Sequence, residues 1–410
     1  MRILHIMPYS PVPPTFGGAL REYYILKNLL REHQVTVVFY GTEEDRQNLG
    51  EEFGDAVESI HAVPQPWERK FRRIAQLRTI VSQHSYFYHN NIRSSMQSKV
   101  DDLFRMKNFD MVHFEFSIMG SIAVPDNIPT IVDTHNVEYA NFRRMWKKST
   151  SPIRKWFYGR EYKKVYQEEV DILGNQDAIF VTSGNDGEIM DQDIPEVPKH
   201  IIPNGVDTIF FTPESSPVKP NSLVFTGMMA YTPNNDGMLY FMKEIFPLIR
   251  AEVPDVQLSI VGKRPTKKLQ SYASKQVEVT GFVEDVRPYI RNASVYIVPL
   301  RMGSGTRLKV LEALATKKPV VSTSIGCEGI DVEDGKSILI RDEPKPFAKS
   351  VINLLKDEKR RQELAMNGYR LIKKKYDWEA VGDKMLEIYR QYEQKFNGQP
   401  RSTKTVSAVR

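Results

Sequence analysis

The chain of 410 residues contains 41% hydrophobic and 26% charged residues, which is enough apolar material for two or three domains and excludes a chain that is disordered as a whole. Its formal net charge of +6 is modest but permits an anionic partner. A single cysteine, Cys327, excludes an internal disulfide framework and a multi-cysteine zinc site.

Hydropathy and the N-terminal residues bear on the location of the protein. The segment from Met1 to Pro8 is too short for the apolar core of a signal peptide and is typical of a first β-strand. No apolar run in the sequence approaches the roughly 18 residues that a membrane span requires. We therefore expect a cytoplasmic protein, which could still attach peripherally to the inner face of the membrane.

Short apolar runs alternate along the chain with longer amphipathic segments. In chain order, the predicted strands are Ile3–Met7, Val35–Tyr40, Met111–Phe114, Thr130–Val132, Ala178–Val181, Leu223–Thr226, Gln257–Val261, Val277–Val279, Val295–Val298 and Pro319–Ser322. Predicted helices include 19–31, 236–252, 306–316, 346–357, 359–375 and 378–395. Runs such as SLVFTG and SVYIVPL are continuously apolar, as in parallel strands that are buried on both faces. The repeated β-α-β pattern predicts an α/β fold with two Rossmann-like domains.

Prolines mark the boundary between the two predicted domains. Pro195, Pro198 and Pro203 punctuate the segment DIPEVPKHIIPNGVD. We place an N-terminal acceptor domain at 1–198, which a final helix at 377–395 packs against, and a C-terminal donor domain at 199–376. Residues 397–410 are polar with three cations and no anion, and we predict a disordered tail there.

The segment VPLRMGSGTRLKVLEALATKKPVV is the most informative part of the sequence. Gly303, Ser304 and Gly305 form a turn between a buried strand and a helix that is predicted to begin at Thr306. Backbone N–H groups at a helix N-terminus attract anions, and glycines let a phosphate approach the backbone closely. The pattern therefore favours a phosphate site at this turn.

Charged residues follow this turn at once. Arg307 and Lys309 fall in the first helical turn, where cations oppose the helix dipole, so that a functional reason for them is plausible. Lys309 and Glu312 share a helix face, and Glu312 could accept hydrogen bonds from ribose hydroxyls. The alternative is an ordinary amphipathic helix with a surface Lys–Glu pair.

This segment resembles the nucleotide-sugar signature of the family 4 glycosyltransferases, which have the GT-B fold of two Rossmann-like domains facing each other across a cleft. The run EALA from residue 312 and the strand PVV from residue 319 match the second half of that signature. Other segments agree in order and spacing, namely the glycines at 17 and 18, DTHNVEY, IPNGVD, FTGMMAYTPNNDG and VTGFVEDV. The resemblance covers nearly the whole chain, to about residue 395.

The resemblance implies roles for individual residues. Arg307 and Lys309 would meet the donor diphosphate, and His135 would contact the sugar, so these three form the implied catalytic set. The implied donor-binding set is Gly17, Gly18, Gly227, Gly303, Ser304, Gly305, Thr306 and Glu312. For His135 the alternative is a strand-end histidine satisfied by the backbone, and for the glycines at 17 and 18 it is a simple turn.

Two positions depart from the family pattern. The first of the two glutamates that the family spaces seven residues apart falls on Ser304, which cannot offer two carboxylate oxygens to a sugar. Many relatives carry an Arg and a Lys in the first loop of the second domain, where this chain has Met228, Met229, Asn234 and Asn235. Diphosphate charge would then rest on Arg307, Lys309 and the helix N-terminus.

The other candidate motifs in the sequence do not indicate a metal site or a different enzyme class. Asp191-Gln192-Asp193 is interpreted as a solvated loop, because it does not follow a strand in a nucleotide site. His113-Phe114-Glu115 could ligate a metal from one strand, but the sequence offers no third ligand, and we interpret it as a core strand. We therefore expect no metal and no cofactor. Neither a P-loop nor a Gly-x-Gly-x-x-Gly fingerprint occurs, which argues against an NTPase or a dehydrogenase.

A basic aromatic segment runs from residue 141 to 166. It contains nine cations and one acid, with Trp146, Trp156, Phe157, Tyr158 and Tyr162 interleaved. A smaller cluster, Arg69, Lys70, Arg72 and Arg73, lies beside Trp67 and Phe71. This composition suits an anionic membrane surface, although a solvated helix face is the alternative. We expect no nucleic-acid partner, because no base-reading module is recognisable.

The resemblance implies a retaining glycosyltransferase that acts without a bridging metal. The donor would be a UDP- or GDP-linked sugar, and the acceptor a glycan or lipid-linked molecule in cell-surface polysaccharide or glycoconjugate synthesis. Two alternatives remain open. One is a catalytically inert GT-B subunit that supports a partner transferase, and the other is a nucleotide-sugar epimerase of related fold.

Overall fold

The computed structural model describes residues 1–65, 79, 82–214, 218–303 and 305–396. The cluster predicted at Arg69 to Arg73, the tail at 397–410 and Ser304 therefore lie outside the described residues. The chain forms two compact units, of which one comprises Met1–Pro203 with the segment from Gly382 onward and the other comprises Asn204–Val381. This division falls a few residues after the predicted boundary, because residues 199–201 form a strand of the first sheet.

The first unit contains a seven-stranded parallel sheet in the order β3-β2-β1-β4-β5-β6-β7. Its strands are β1 Arg2–Met7, β2 Gln34–Tyr40, β3 Ser59–Val63, β4 Met111–Glu115, β5 Thr130–Thr134, β6 Ala178–Val181 and β7 Lys199–Ile201. Its helices are α1 Gly17–Leu29, α2 Glu43–Phe53, α3 Tyr86–Asn91, α4 Ser94–Met106, α5 Glu138–Lys148, α6 Pro152–Gly174 and α7 Gly184–Asp191. Strands β4, β5 and β6 are buried along their whole length. This burial is expected for the continuous apolar run of β6, whereas β4 and β5 also bury polar residues, among them His113, Glu115 and Asp133.

The second unit contains a six-stranded parallel sheet in the order β10-β9-β8-β11-β12-β13. Its strands are β8 Ser222–Thr226, β9 Gln257–Val261, β10 Val277–Gly281, β11 Val295–Val298, β12 Val320–Ser322 and β13 Leu339–Ile340. Its helices are α8 Thr232–Tyr240, α9 Phe246–Glu252, α10 Lys267–Gln270, α11 Arg287–Asn292, α12 Leu308–Ala315, α13 Pro344–Lys356 and α14 Glu358–Leu371. The last helix, α15 Trp378–Phe396, begins at the end of this unit, and most of its length belongs to the first.

Each unit has its own hydrophobic core, built from the strands and the inward faces of the helices. The helix predicted at 236–252 is divided in the structure by a π-helical turn at Phe241–Ile245. Pro247 lies in the first turn of α9 and has no N–H to donate to the preceding turn, which explains the interruption. Among the described residues, we find no helix with both the length and the apolar character needed to cross a bilayer.

Candidate active site

In the first unit, polar side chains gather at the carboxyl ends of neighbouring strands. His5 of β1 pairs in register with His113 of β4, and Glu115 of β4 pairs with Asp133 of β5. All four are completely buried. Because carboxyl ends of parallel strands line the ligand sites of open α/β sheets, this edge is the candidate site of the first unit.

Glu115 is the centre of this polar group. Its Oε1 lies 3.0 Å from His5 Nε2 and 3.1 Å from His113 Nε2, and its Oε2 lies 2.9 Å from His135 Nε2. Burial by itself would raise the pKa of Glu115, but hydrogen bonds from His113, His135 and His5 hold that pKa well below its usual range. The side chain is therefore an ionised carboxylate that accepts hydrogen bonds from all three imidazoles.

The predicted glycine loop lies beside His135. Gly17 is the first residue of α1, and Gly18 follows it. A Cβ on Gly18 would collide with the Tyr9 hydroxyl and would lie 3.1 Å from the Phe16 ring and 3.5 Å from His135 Nδ1. The structure thus brings two predicted residues, Gly18 and His135, together, and only glycine permits this approach.

A buried ion pair fixes helix α1 at this edge of the sheet. Arg21 donates to Asp133 through Nε at 2.9 Å and Nη2 at 2.7 Å, and Nη2 also donates to the Ile202 carbonyl at 2.8 Å. The geometry is bidentate and both side chains are excluded from water, so that the pair strongly specifies where α1 begins. Sequence analysis did not single out either residue for this role.

In the second unit, the predicted phosphate turn follows strand β11. Gly303 and Gly305 adopt φ values of +138° and +76°, which favour glycine. Arg307 is the N-cap of α12, so the helix begins at Leu308 and not at Thr306 as predicted. The hydrogen-bonded turn after Gly305 takes up the intervening residues, since Leu308 N–H donates to the Thr306 carbonyl.

The guanidinium of Arg307 is buried and lies against the glycine turn. Its Nη1 donates to the Gly305 carbonyl at 2.6 Å, and its Nη2 lies 3.8 Å from a Glu328 carboxylate oxygen. A Cβ on Gly303 would lie 2.8 Å from Arg307 Nη2. Glycine at position 303 therefore makes the room that the guanidinium occupies.

Lys309 is held in a comparable way at the end of β8. Its Nζ donates to Asn234 Oδ1 at 2.7 Å and lies 4.1 Å from the centre of the Phe225 ring. Gly227 has a φ of +150°, and a Cβ there would lie 2.7 Å from Lys309 Nζ. Asn234, which we predicted in the first loop of the second domain, lies instead in α8 and positions the cation of another segment.

Burial changes the pKa values of Lys309 and Glu312 more than their mutual attraction does. Burial lowers the pKa of Lys309 to about 7, against the raising effect of Glu312. Burial likewise raises the pKa of Glu312 to about 7, against the lowering effect of Lys309. Perturbed pairs of this kind are typical of functional sites. An anionic ligand beside Lys309 would favour its charged form.

The structure thus assembles the predicted residues into two groups, one in each unit. The first contains Gly17, Gly18 and His135, and the second contains Gly227, Gly303, Gly305, Thr306, Arg307, Lys309 and Glu312. Each group lies at the carboxyl edge of its own sheet. Their roles in binding and catalysis remain predictions.

Sequence reasoning missed the partners that surround these residues. His5 was read only as part of an apolar strand, although it is the third group beside His113 and Glu115. The ligand atoms of these three lie within 4.8 Å of one another, so their spacing alone would admit a cation, but their mutual hydrogen bonds also account for it. Polar residues inside two otherwise apolar, adjacent strands are the signal that could have revealed the group.

Comparison with known proteins connects this geometry to a family. Residues 17–210 match the profile of Glycosyltransferase Family 4, and residues 220–357 match that of Glycosyl transferases group 1. The chain is 23% identical over 330 residues to an uncharacterized 44.6 kDa protein in the cps region of Klebsiella pneumoniae, a match that covers 76% of this chain and 81% of the relative. It is 26% identical over 199 residues to phosphatidyl-myo-inositol mannosyltransferase of Mycobacterium leprae, which covers 46% of this chain but only 52% of that enzyme.

A solved structure shares the fold. HepE from Anabaena, determined in complex with UDP, superposes with a TM-score of 0.66 at 13% identity and covers 95% of this chain and 100% of its own. The two parallel sheets and their flanking helices are thus those of the GT-B fold. The chain belongs to the family 4 glycosyltransferases of GT-B fold.

Proposed function

We propose that this glycosyltransferase moves a sugar from a UDP- or GDP-linked donor to a glycan or lipid-linked acceptor, with retention of anomeric configuration. A nucleotide donor is supported by the HepE neighbour, which was solved with UDP. A role in cell-surface polysaccharide or glycoconjugate synthesis is supported by the relatives from the cps region and from the mannosyltransferases. Retention follows from the family resemblance.

The observation that carries the proposal is the pair of cations held against positive-φ glycines in the second unit. Arg307 fills the space above Gly303, and Lys309 fills the space above Gly227. Both side chains are thus held in place by the protein itself, and an anionic ligand would favour the charged form of Lys309. Preorganised positive charge of this kind is what a departing diphosphate requires, because its negative charge grows as the bond to the sugar breaks.

The remaining site residues divide the other tasks. Glu312 accepts hydrogen bonds from the donor ribose, for which its ionised form is the better acceptor. Thr306 Oγ1 is buried without a hydrogen-bond partner among the described residues and is available to a ligand oxygen. His135 contacts the sugar, and no covalent nucleophile is assigned. The two cations take the place of a metal in this scheme.

Donor turnover and product stereochemistry test the proposal. We would incubate the protein with UDP-glucose, UDP-N-acetylglucosamine and GDP-mannose, measure release of the nucleoside diphosphate, and follow the anomeric proton of the freed or transferred sugar by NMR. The proposal predicts release from one donor class with an α product. Lys309→Ala should abolish this release, whereas Lys268→Ala, which removes an exposed cation of α10 in the same unit, should not.

Three other outcomes of this experiment would contradict different parts of the proposal. A β product contradicts retention, and interconversion of the donor sugar without release favours an epimerase. Failure of every donor to react, even with membrane extracts as the acceptor source, favours the inert subunit that supports a partner transferase.

We also propose that the hairpin of α5 and α6 attaches to an anionic membrane surface. Three apolar side chains are exposed on it, namely Met145 at 39%, Ile153 at 79% and Trp156 at 55%. The exposed cations that accompany them are Arg143, Arg144, Lys147, Lys148, Arg154, Lys155, Arg160 and Lys163. Exposed apolar groups within a ring of cations match the headgroup layer of an anionic bilayer.

Not all of the predicted segment takes part in this surface. Lys164 donates to the carbonyls of Thr79, Ser82 and His84, so it stabilises the unit internally. Trp146 is half-buried and stacks on Tyr162 with ring centres 5.7 Å apart. The proposed membrane-binding surface therefore contains fewer residues of segment 141–166 than the sequence composition suggests.

Liposome sedimentation tests the attachment. The protein should sediment with vesicles containing phosphatidylglycerol at low salt, and the double variant Ile153→Ser, Trp156→Ser should not. Ile209→Ser, which removes an 88% exposed apolar side chain from the second unit, is the matched control and should bind as the wild type does. Equal sedimentation of the double variant and the wild type would contradict the proposal.

A further inference from the structure

The carboxylate of Glu115 accepts hydrogen bonds from three imidazoles and is shielded from solvent. The buried carboxyl of Glu22 is also near, since its oxygen lies within 4.8 Å of ligand atoms of Glu115 and His135. Glu115 is completely buried, as are His5 and His113. Burying an ionised carboxylate costs several kcal/mol unless hydrogen bonds compensate for the lost water. The three Nε2 contacts at 2.9–3.1 Å supply those bonds.

An ionised carboxylate only accepts hydrogen bonds, so each of the three Nε2 atoms must carry a proton. On the opposite side of His113, Nδ1 meets the Tyr389 hydroxyl. Burial raises the pKa of Tyr389 well above its ordinary value, which keeps the hydroxyl protonated and able to donate to that Nδ1. This contact holds the His113 ring in place, so that Nε2–H stays directed at Glu115.

The same logic applies to His135, whose other nitrogen faces the glycine loop. With Nε2–H committed to Glu115 Oε2, a neutral His135 presents a lone pair at Nδ1. This Nδ1 is buried and has no hydrogen-bond partner among the described residues. It lies 3.5 Å from where a Cβ on Gly18 would be, on the side of the glycine loop that also holds the Tyr9 hydroxyl, with which that Cβ would collide.

We propose that Glu115 is a positioning residue that fixes His135 as the Nε2–H tautomer, so that Nδ1 accepts a hydrogen bond from a hydroxyl of the donor sugar. His5 and His113 hold the carboxylate in place for this purpose. The inference rests on the proposed function, since the hydroxyl belongs to the sugar that the enzyme transfers. It also makes a statement about His135 that can be measured without any substrate.

The substitution Glu115→Gln separates this role from simple packing. Oε1 accepts two hydrogen bonds and Oε2 accepts one, whereas glutamine has a single acceptor oxygen. Keeping His5 and His113 satisfied places the amide oxygen at the Oε1 position and the NH₂ group toward His135. His135 Nε2 must then become the acceptor, and Nδ1 becomes an N–H that points beside Gly18.

The decisive readout is the tautomer of His135 by ¹H–¹⁵N correlation NMR at pH 8 on protein labelled with ¹⁵N-histidine. The eight histidines are resolved by comparison with a His135→Gln spectrum, which lacks the relevant signals. Wild type should show Nδ1 unprotonated, and Glu115→Gln should show the opposite tautomer.

The same variant should lower kcat about 100-fold, the usual size of such an effect, with a smaller change in KM. Glu115→Asp, which keeps a carboxylate, should restore the native tautomer and part of the rate.

Glu169→Gln is the matched control. Glu169 is a buried carboxyl of α6 that accepts hydrogen bonds from the backbone of Glu138 and Tyr139, and it does not contact His135. Burial, together with the Glu138 charge, raises the pKa of Glu169 to about 8, so that a neutral amide whose oxygen accepts the 2.8 Å bond from the Tyr139 N–H resembles its state at pH 7. This control should keep both the tautomer and the rate.

Contrary outcomes distinguish the inference from the proposed function. A wild type that turns over donor but carries a proton on His135 Nδ1 at pH 8 overturns the inference alone, and this measurement does not require Glu115→Gln to fold. A folded Glu115→Gln with wild-type tautomer and rate does the same. Stoichiometric zinc in the purified wild type that is lost in Glu115→Gln would show that the carboxylate holds a metal instead. A wild type with the expected tautomer but no donor turnover overturns the proposed function and, with it, the sugar contact.

Discussion

The substitution Gly227→Ala tests whether the glycines of the second unit exist to make room for cations. Gly227 has a φ of +150°, and its added Cβ would lie 2.7 Å from Lys309 Nζ and 2.8 Å from Asn234 Nδ2. Lys309 must therefore leave the position that its hydrogen bond to Asn234 defines. The substitution therefore has two effects. Backbone strain lowers the stability of the protein, and displacement of the Lys309 ammonium weakens its contact with a ligand.

Their magnitudes can be separated with a control. An L-residue at positive φ costs about 1–2 kcal/mol of stability, and Gly335→Ala should show this cost alone, because at a φ of +75° no atom lies within 4 Å of its Cβ position. A hydrogen bond between a charged group and its partner is worth about 1.5–3 kcal/mol. Loss of the Lys309 contact to a diphosphate should thus weaken nucleotide binding by roughly 10- to 100-fold.

Urea denaturation and isothermal titration with the preferred nucleoside diphosphate measure the two effects. Gly227→Ala should lose more stability than Gly335→Ala, because it also displaces Lys309 from Asn234, and only Gly227→Ala should lose affinity. Equal affinity in Gly227→Ala and Gly335→Ala would refute the reasoning, since it would mean that the position of Lys309 does not matter to the ligand.

Further predictions concern pH, the buried ion pair and metals. Because the folded pKa of Lys309 is about 7 and its ordinary value is 10.5, the folded state binds fewer protons between these values, and this residue's contribution to stability rises with pH across that window. An anionic nucleotide favours the charged ammonium, so binding should take up a proton and weaken as pH rises from 7 to about 9, which titration in buffers of different ionisation enthalpy would show; no proton uptake would contradict this. Arg21→Leu should destabilise the protein by about 3–5 kcal/mol in urea, because it leaves Asp133 buried without its bidentate partner; a loss below about 1 kcal/mol would contradict the argument. EDTA should leave donor turnover unchanged, and a loss that Mg²⁺ or Mn²⁺ restores would contradict a metal-free scheme.

Continuous apolar runs are what made the fold predictable. Inner strands of both sheets, such as β6, β8 and β11, are buried on both faces and therefore stand out in the sequence. The strands β3, β7 and β13 lie at sheet edges, are short and partly exposed, and were not predicted. Edge strands bury less, so that the sequence carries less apolar signal for them.

The proximity of the candidate site residues was predictable where they lie in one continuous segment. The turn at Gly303 and the cations after it occupy one continuous segment, so that their proximity follows from chain order. The partners of those groups come from distant segments, as Asn234 does for Lys309 and His5 does for Glu115. Only the strand order places β1 beside β4, and a single sequence does not reveal that order residue by residue.

The central claim is a nucleotide-sugar donor site built from Arg307, Lys309 and Glu312, and thermal unfolding with UDP, GDP and ADP tests it most directly. A ligand at 100 times its Kd adds about 2.7 kcal/mol to the free energy of unfolding, which is a readily measured shift in Tm. We predict that one nucleotide stabilises the wild type and that Lys309→Ala and Glu312→Ala each remove the effect. An equal shift in the wild type and in both variants, or no shift with any nucleotide, would contradict the account.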